Sequence, residues 1–206
     1  MFVHADSDSG RRHLANVRRL AGDRGIDVAP IPMAAGLTPA ALADAIARAR
    51  VDAVFNHGSY SVYVGIIKSL RAKGLTPMFM AVNSGAAQMA RELGPEGRGL
   101  VFTQVVPFPW GVAVPVVKEY QQALAKYAPA TPPSFSGLEG YIGAKVLVAG
   151  LRAAGRDLTR AGIQRAMEGL GTVDVGGMLV RYRPGAHTGS TFVDTVIVAS
   201  DGRFSR

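Results

Sequence analysis

The side chains able to move a proton near neutral pH are few. His4, His13, His57 and His187 are the four histidines, isolated along the chain and without the paired spacing of a metal site. Cysteine is absent, which removes thiolate zinc ligands, thiol nucleophiles and disulfides. The chain has no G-x-x-x-x-G-K-S/T phosphate loop, no G-x-G-x-x-G after a strand and no G-x-S-x-G nucleophile elbow. His57 stands at the end of an apolar run, the best position for a working histidine, yet no motif pairs it with a carboxylate or nucleophile. An enzyme on this chain would have to draw its titrating pair from Asp6, Asp8 and His57.

A different chemistry emerges where apolar runs give way to short polar residues. Asp8 and Ser9 follow the first run, Gly58, Ser59 and Tyr60 the third, and Asn83 and Ser84 the fourth; Gln104 follows the fifth. These are mostly hydrogen-bonding groups that do not titrate near neutral pH, set where helices begin and backbone N–H groups point outward. They suit a small polar or anionic ligand held by hydrogen bonds and do not suit proton transfer. Asp8, Ser59 and Asn83 read equally well as N-caps. Tyr60, a bulky ring in a tight turn beside glycine and serine, reads as a cover for something. The expected site is therefore Asp8, Ser9, Gly58, Ser59, Tyr60, Asn83 and Ser84, with no catalytic residue, no metal and no cofactor.

The elements that must position these groups alternate. Phe2 to His4 reads as a strand end, followed by a helix whose face is Leu14, Val17, Leu20 and Ala21. Ile26 to Ile31 reads as a second strand, set at an edge by Pro30 and Pro32. Thr38-Pro39 caps a helix with Leu42, Ala45, Ile46 and Ala49 on its buried stripe. Ala53-Val54-Phe55 is a strand, Asn56 to Ser61 turn chemistry, and Val62, Ile66 and Leu70 recur at helical spacing up to Gly74. Met78 to Val82 and Gly99 to Thr103 are further strands, with a short helix through Leu93 between them. Ala113 to Tyr127 is a helix with proline in its first turn. This order predicts an α/β fold, a doubly wound parallel sheet in three αβα layers, with every strand's carboxyl end on one edge.

The alternation then stops. Residues 128–133 form a proline-rich linker, and 134–206 read as two helices, Leu138 to Ala154 and Thr159 to Gly169, and two strands, one through Met178, Val180 and Tyr182 and one from Phe192 to Val198. The expected segments are thus 1–127, 128–133 and 134–206.

Net charge is +8, with charged residues only 18% of the chain and apolar residues 48%. This composition supports a sizeable core and excludes disorder. The arginines are scattered rather than blocked and are not interleaved with aromatics, so nucleic acid is not an expected partner. No run approaches the ~18 apolar residues of a membrane span, so direct insertion in a membrane is not expected either. A strand at Phe2 to His4, immediately after Met1, reads as a chain that begins mid-strand with no signal peptide.

Several segments together resemble the branched-chain amino-acid binding proteins, the type I periplasmic solute receptors of ABC importers. They are His4-x-Asp-x-Asp-x-Gly10, Asp52-Ala-Val-Phe through Gly74-Leu75, Gly99-Leu-Val-Phe-Thr-Gln-Val-Val-Pro107, Pro133-Ser-Phe-x-x-Leu-Glu-Gly-Tyr141, Gly176-Gly177 through Gly189-Ser190, and Asp201-Gly-Arg-Phe204. The resemblance runs from Phe2 to Phe204. It implies a non-catalytic solute-binding component located in the periplasm, with a small amino-acid-like or carboxylate ligand between two lobes and a membrane permease as partner. It implies that 1–127 is the second lobe, that 128–133 returns toward the first, and that the later helices and strands belong partly to a first lobe mostly missing here. On that reading Tyr141, Val148 and Leu151 should be exposed or covered by another chain. The family's ligand groups fall at positions matching Ser9, Ser59 or Tyr60, and Asn83. Two departures bear on specificity: Ser9 is small where an aromatic is common, and Asn83 is neutral where amino-acid binders commonly hold the ligand ammonium with a carboxylate. A ligand-sensing domain of a receptor or regulator shares the fold and is the alternative to transport.

Overall fold

The computed structural model describes residues 1–206. Nine strands and seven helices follow one another: β1 (Phe2–Ala5), α1 (Asp8–Gly22), β2 (Pro30–Met33), α2 (Pro39–Ala49), β3 (Ala53–His57), α3 (Tyr60–Ala72), β4 (Met78–Ala81), α4 (Ala86–Leu93), β5 (Val101–Gln104), α5 (Pro115–Tyr127), α6 (Phe135–Ala154), α7 (Arg160–Gly169), β6 (Thr172–Asp174), β7 (Leu179–Arg181), β8 (Asp194–Val198) and β9 (Phe204–Ser205). The main sheet has the order β2-β1-β3-β4-β5-β8-β9. Its β1–β2, β1–β3, β3–β4 and β4–β5 pairs are parallel, and β8–β9 is antiparallel. The chain forms two compact units, Met1–Thr103 with Thr195–Arg206, and Gln104–Asp194.

In the first unit, alternation along the strands sorts side chains onto two faces. Phe2 pairs with Phe55 and His4 with His57 on one face, where Gly10 and His13 of α1 meet His4 and His57. Val54 and Phe79 share the other face, under the edge-on ring of Tyr63 from α3. Tyr63 is fully buried, and its hydroxyl donates to the Val54 carbonyl at 2.7 Å. Burial pushes the phenol's pKa far above its ordinary value. Helices α2 and α3 pack closely through Leu42, Ala43, Ile46, Ile66, Ile67 and Leu70, and Gly65 leaves the room that Pro39 occupies.

Several boundaries differ from those predicted. β2 covers Pro30–Met33 rather than Ile26–Ile31. It is the edge strand, and its prolines at alternate positions remove donors along one side, as an edge tolerates. Asn56 and His57 belong to β3 rather than to a turn. The α1 helix is shallowly seated: Gly10 is its sole buried residue, and Leu20 lies 49% exposed.

The second unit has its own core of Val106, Val116, Val117, Tyr120, Leu138, Ile142, Val146, Val175, Met178 and Val180. Compactness thus divides the chain differently from the segments 1–127, 128–133 and 134–206. Helix α5 packs on α6, with Tyr120 and Tyr141 rings 5.8 Å apart and Lys145 paired with Glu119, so it lies with the elements that follow it. The buried stripe of α6 is Leu138, Ile142, Val146 and Gly150 rather than Tyr141, Ala144, Val148 and Leu151. The helix is apolar nearly all round, so periodicity alone does not select a face, and packing of Met167 over Gly150 does. Val148 is 43% and Leu147 49% exposed, while Tyr141 and Leu151 are half-buried.

The β6–β7 hairpin depends on one carboxylate. Asp174 accepts N–H bonds from Gly176 at 2.9 Å and Gly177 at 2.6 Å. These bonds hold its pKa below the ordinary 3.8. Because the folded value is the lower one, the stabilisation is complete above about pH 4 and is lost as pH falls through the folded value. Acid titration followed by circular dichroism should show Asp174→Asn less acid-sensitive than wild type; identical acid midpoints would contradict this.

Candidate ligand-binding site

Parallel pairing puts the carboxyl ends of β1, β3 and β4 side by side on consecutive strands. At a spacing of roughly 4.8 Å between strands, the three loops span on the order of 10 Å, the size of an amino acid or a small carboxylic acid. Each loop opens a helix, so three helix N-termini face the same edge.

The β1 loop is organised by Ser7, whose Oγ accepts from the Gly10 N–H at 3.2 Å and caps α1. The cap is therefore Ser7 and not Asp8. Asp8 is the first helical residue, exposed, with its carboxylate 2.7 Å from Arg11 Nη2; Asp6 holds Arg11 Nη1 at 3.1 Å. Ser9 is exposed, and its hydroxyl makes no hydrogen bond within the chain. Gly10 presses on the Ala5 carbonyl, which fixes the height of this turn above the sheet.

The β3 loop is set by Asn56, 2% exposed, whose Oδ1 accepts from the Gly58 N–H at 3.1 Å. Gly58 is packed against the Met33 methyl. Ser59 sits at the N-cap of α3 but caps nothing with its side chain; its Oγ lies 2.9 Å from Ser61 Oγ. The first N–H groups of α3 therefore receive no side-chain cap and remain available at this edge.

Tyr60 joins this loop to the next. Its ring lies against Gly85, where an added Cβ would come within 2.9 Å of the ring. Gly85 is the N-cap of α4 at φ 74°, a conformation that glycine adopts freely and that also lets the ring approach. Asn83 accepts the Ala86 N–H at 3.2 Å with its backbone carbonyl, so its amide side chain is not the cap of α4. Asn83 is half-buried and Ser84 exposed, and neither side chain hydrogen-bonds within the chain. The structure thus brings Gly58, Ser59 and Tyr60 next to Asn83 and Ser84, and sets Asp8 and Ser9 on the adjoining strand end.

Titrating chemistry is sparse at this edge. The carboxylates Asp6 and Asp8 are tied to Arg11, and no group of three or more histidines and carboxylates is arranged to hold a metal. His57 instead stacks on His13 with ring centroids 3.9 Å apart. Desolvation, His57 and Arg12 together lower the pKa of His13. A separate groove of about 290 Å³, lined by Ile46, Ala47, Arg50, Val51, Leu70, Leu75, Thr76 and Pro77, lies at the helix C-terminal ends, away from these loops. The expected site leaves out Ser7, Gly10 and Gly85, although the sequence reads 6–10 as a turn and helix cap and 83–85 as the turn into the next helix. The Ser-x-x-Gly10 spacing was readable as a cap, but the tight packing of the two glycines was not.

The family model of the periplasmic binding proteins matches residues 1–202, and the chain belongs to that family. Its fold is the type I periplasmic binding fold, and the solved relatives are described as ligand- or substrate-binding proteins. Among solved structures, a possible leucine/isoleucine/valine-binding protein from Rhodopirellula baltica is 28% identical, with a TM-score of 0.84, over 100% of this chain and 58% of that one. A substrate-binding periplasmic protein from Ralstonia solanacearum is 25% identical, with a TM-score of 0.83, over 98% of this chain and 59% of its own. A fatty acid ABC transporter substrate-binding protein from Thermomonospora curvata is 20% identical, with a TM-score of 0.82, over 99% and 55%; this likeness shows the fold alone. No curated protein matches the chain. The chain spans under two thirds of the length of these solved relatives.

Proposed function

We propose that the chain is part of the solute-binding component of an ABC importer, working in the periplasm and delivering a small amino-acid-like or carboxylate ligand to a membrane permease. The observation that carries this reading is the row of unengaged hydrogen-bonding groups at one sheet edge: Ser9, the N–H groups that open α3 behind Ser59, and Asn83, with Tyr60 between them. Helix N-termini favour an anionic group, so the ligand's carboxylate is assigned to the start of α3. Asn83, being neutral, assigns no charge to the ligand's other end. Family membership and a solved relative described as a possible leucine/isoleucine/valine-binding protein support the amino-acid-like class. We assign this edge to one lobe, formed by Met1–Thr103 with Thr195–Arg206, and Gln104–Asp194, including the proline-rich 128–133, to the other.

Isothermal titration with L-leucine, L-valine and 4-methylpentanoate tests the reading. Removing the ring that links two of the loops, Tyr60→Ala should weaken whichever of these ligands binds by about tenfold or more, ~1.4 kcal/mol. Asn83→Asp should raise the preference for L-leucine over 4-methylpentanoate by a similar factor, since a carboxylate there would accept from the ammonium. Unchanged affinity in both variants would refute the site.

A further inference from the structure

Beneath the proposed ligand edge lies a pair of groups that ligand binding does not use. His13, in the second turn of α1, stacks on His57, the last residue of β3, with centroids 3.9 Å apart and ring planes 27° apart. Each ring is joined to a loop of the ligand edge. His57 precedes Gly58 and Ser59, and His13 stands one turn beyond Ser9 on the same helix. We propose that the His13–His57 stack is a proton-operated spacer that sets the separation of the β1 and β3 loops, and so couples the ligand edge to pH.

The surroundings favour the uncharged stack. On α1, Arg12 adds positive charge beside His13, while Arg11 is neutralised by Asp6 and Asp8. From β1, His4 is the titratable neighbour: it is buried, its Nδ1–H donates to the Ala5 carbonyl at 2.9 Å, and its register partner is His57. Residues 30–38, comprising β2 and the loop after it, and Met78–Ala81 of β4 carry no titratable side chain. No carboxylate therefore faces the stack to compensate a proton. The lowered pKa of His13 has the same sign. A histidine that is harder to protonate when folded costs stability as pH falls from its ordinary value near 6.5 toward its folded value.

Gly10 is pressed on the Ala5 carbonyl and Gly58 on the Met33 methyl, so the segments bearing Ser9 and Ser59 are anchored close to the rings. A second charge in the stack therefore acts on those segments. Coupling to ligand release rests on the reading of this edge as a ligand wall; the titration itself does not.

The test is NMR of the isotopically labelled 206-residue chain, without added ligand, from pH 8 to pH 5. The ring resonances of His13 should titrate below the ordinary imidazole range. In His57→Phe, which keeps a stacked ring, the His13 midpoint should rise by about 0.7 of a pH unit, the repulsion of two unit charges near 4 Å in water. The amides of Ser9, Gly58 and Ser59 should shift with the His13 midpoint in wild type and lose that response in His57→Phe and in His13→Phe. Loop amides that do not move with the His13 titration in wild type would overturn the proposal, and this needs no variant to fold. Loop amide shifts that persist in both phenylalanine variants would overturn it equally. A failure to bind any solute would leave these resonances unaffected, so the two readings fail separately.

Discussion

Gly10→Val is expected to destabilise the first unit by about 3 kcal/mol or more, enough to unfold much of the population of a marginally stable domain. A Cβ at Gly10 runs into the Ala5 carbonyl oxygen and crowds His4 Nδ1. The obstruction is backbone, which cannot rotate away as a side chain can. Relief requires α1 to lift from β1, and α1 has little holding it elsewhere, since Gly10 is its sole buried residue. The helix would also carry Ser9 and His13 away from the site. Thermal unfolding by circular dichroism checks this. A melting temperature within a degree or two of wild type would show that the close approach of α1 to β1 is not required.

Tyr63→Ala is the second large effect, expected at about 3–5 kcal/mol. Tyr63 is 0% exposed, lies edge-on to Phe79 at 6.3 Å and donates to the Val54 carbonyl. Truncation leaves a cavity against the sheet and an unused ring site between α3 and β3–β4. Tyr63→Phe separates the two contributions. It keeps the packing and removes the donor, so it should cost about 1 kcal/mol. Urea denaturation of both variants gives the ratio directly; equal losses would mean that the hydrogen bond rather than the ring dominates. Because Tyr63 lies three residues beyond Tyr60 on α3, the alanine variant should also loosen the Tyr60–Gly85 contact at the ligand edge.

How far the sequence alone reaches is clearest at these residues. The alternation of short apolar runs with helical stripes specified the parallel sheet, because sheet burial and helix amphipathicity leave distinct periods. It also placed Ser59, Tyr60, Asn83 and Ser84 at strand ends. The stripe Val62, Ile66, Leu70 came close to the buried face of α3 but passed over Tyr63, whose hydroxyl makes it look like a surface residue until its acceptor on β3 is known. Asp8 was a fair candidate for a cap by type, yet Ser7 one residue earlier reaches the Gly10 N–H; caps shift by one residue without any change of pattern. On α6 the absence of a polar face left the buried stripe undetermined, and the contact with Met167 decided it. The close approach of Gly10 to the Ala5 carbonyl and of Gly85 to the Tyr60 ring leaves no mark in apolar periodicity, and His13 meets His57 across 44 residues.

The edge formed by the ends of β1, β3 and β4 is proposed as a wall for a small solute and not as a catalytic centre. Amide chemical-shift mapping of the labelled chain, titrated with L-leucine and with 4-methylpentanoate into the millimolar range, tests it most directly; one wall alone corresponds to binding on the order of 4 kcal/mol. Saturable shifts are expected at Ser9, Gly58 to Ser61 and Asn83 to Gly85, with both compounds recovered unchanged. Shifts confined to the groove at Ile46, Arg50, Leu75 and Pro77, or chemical conversion of either compound, would contradict it.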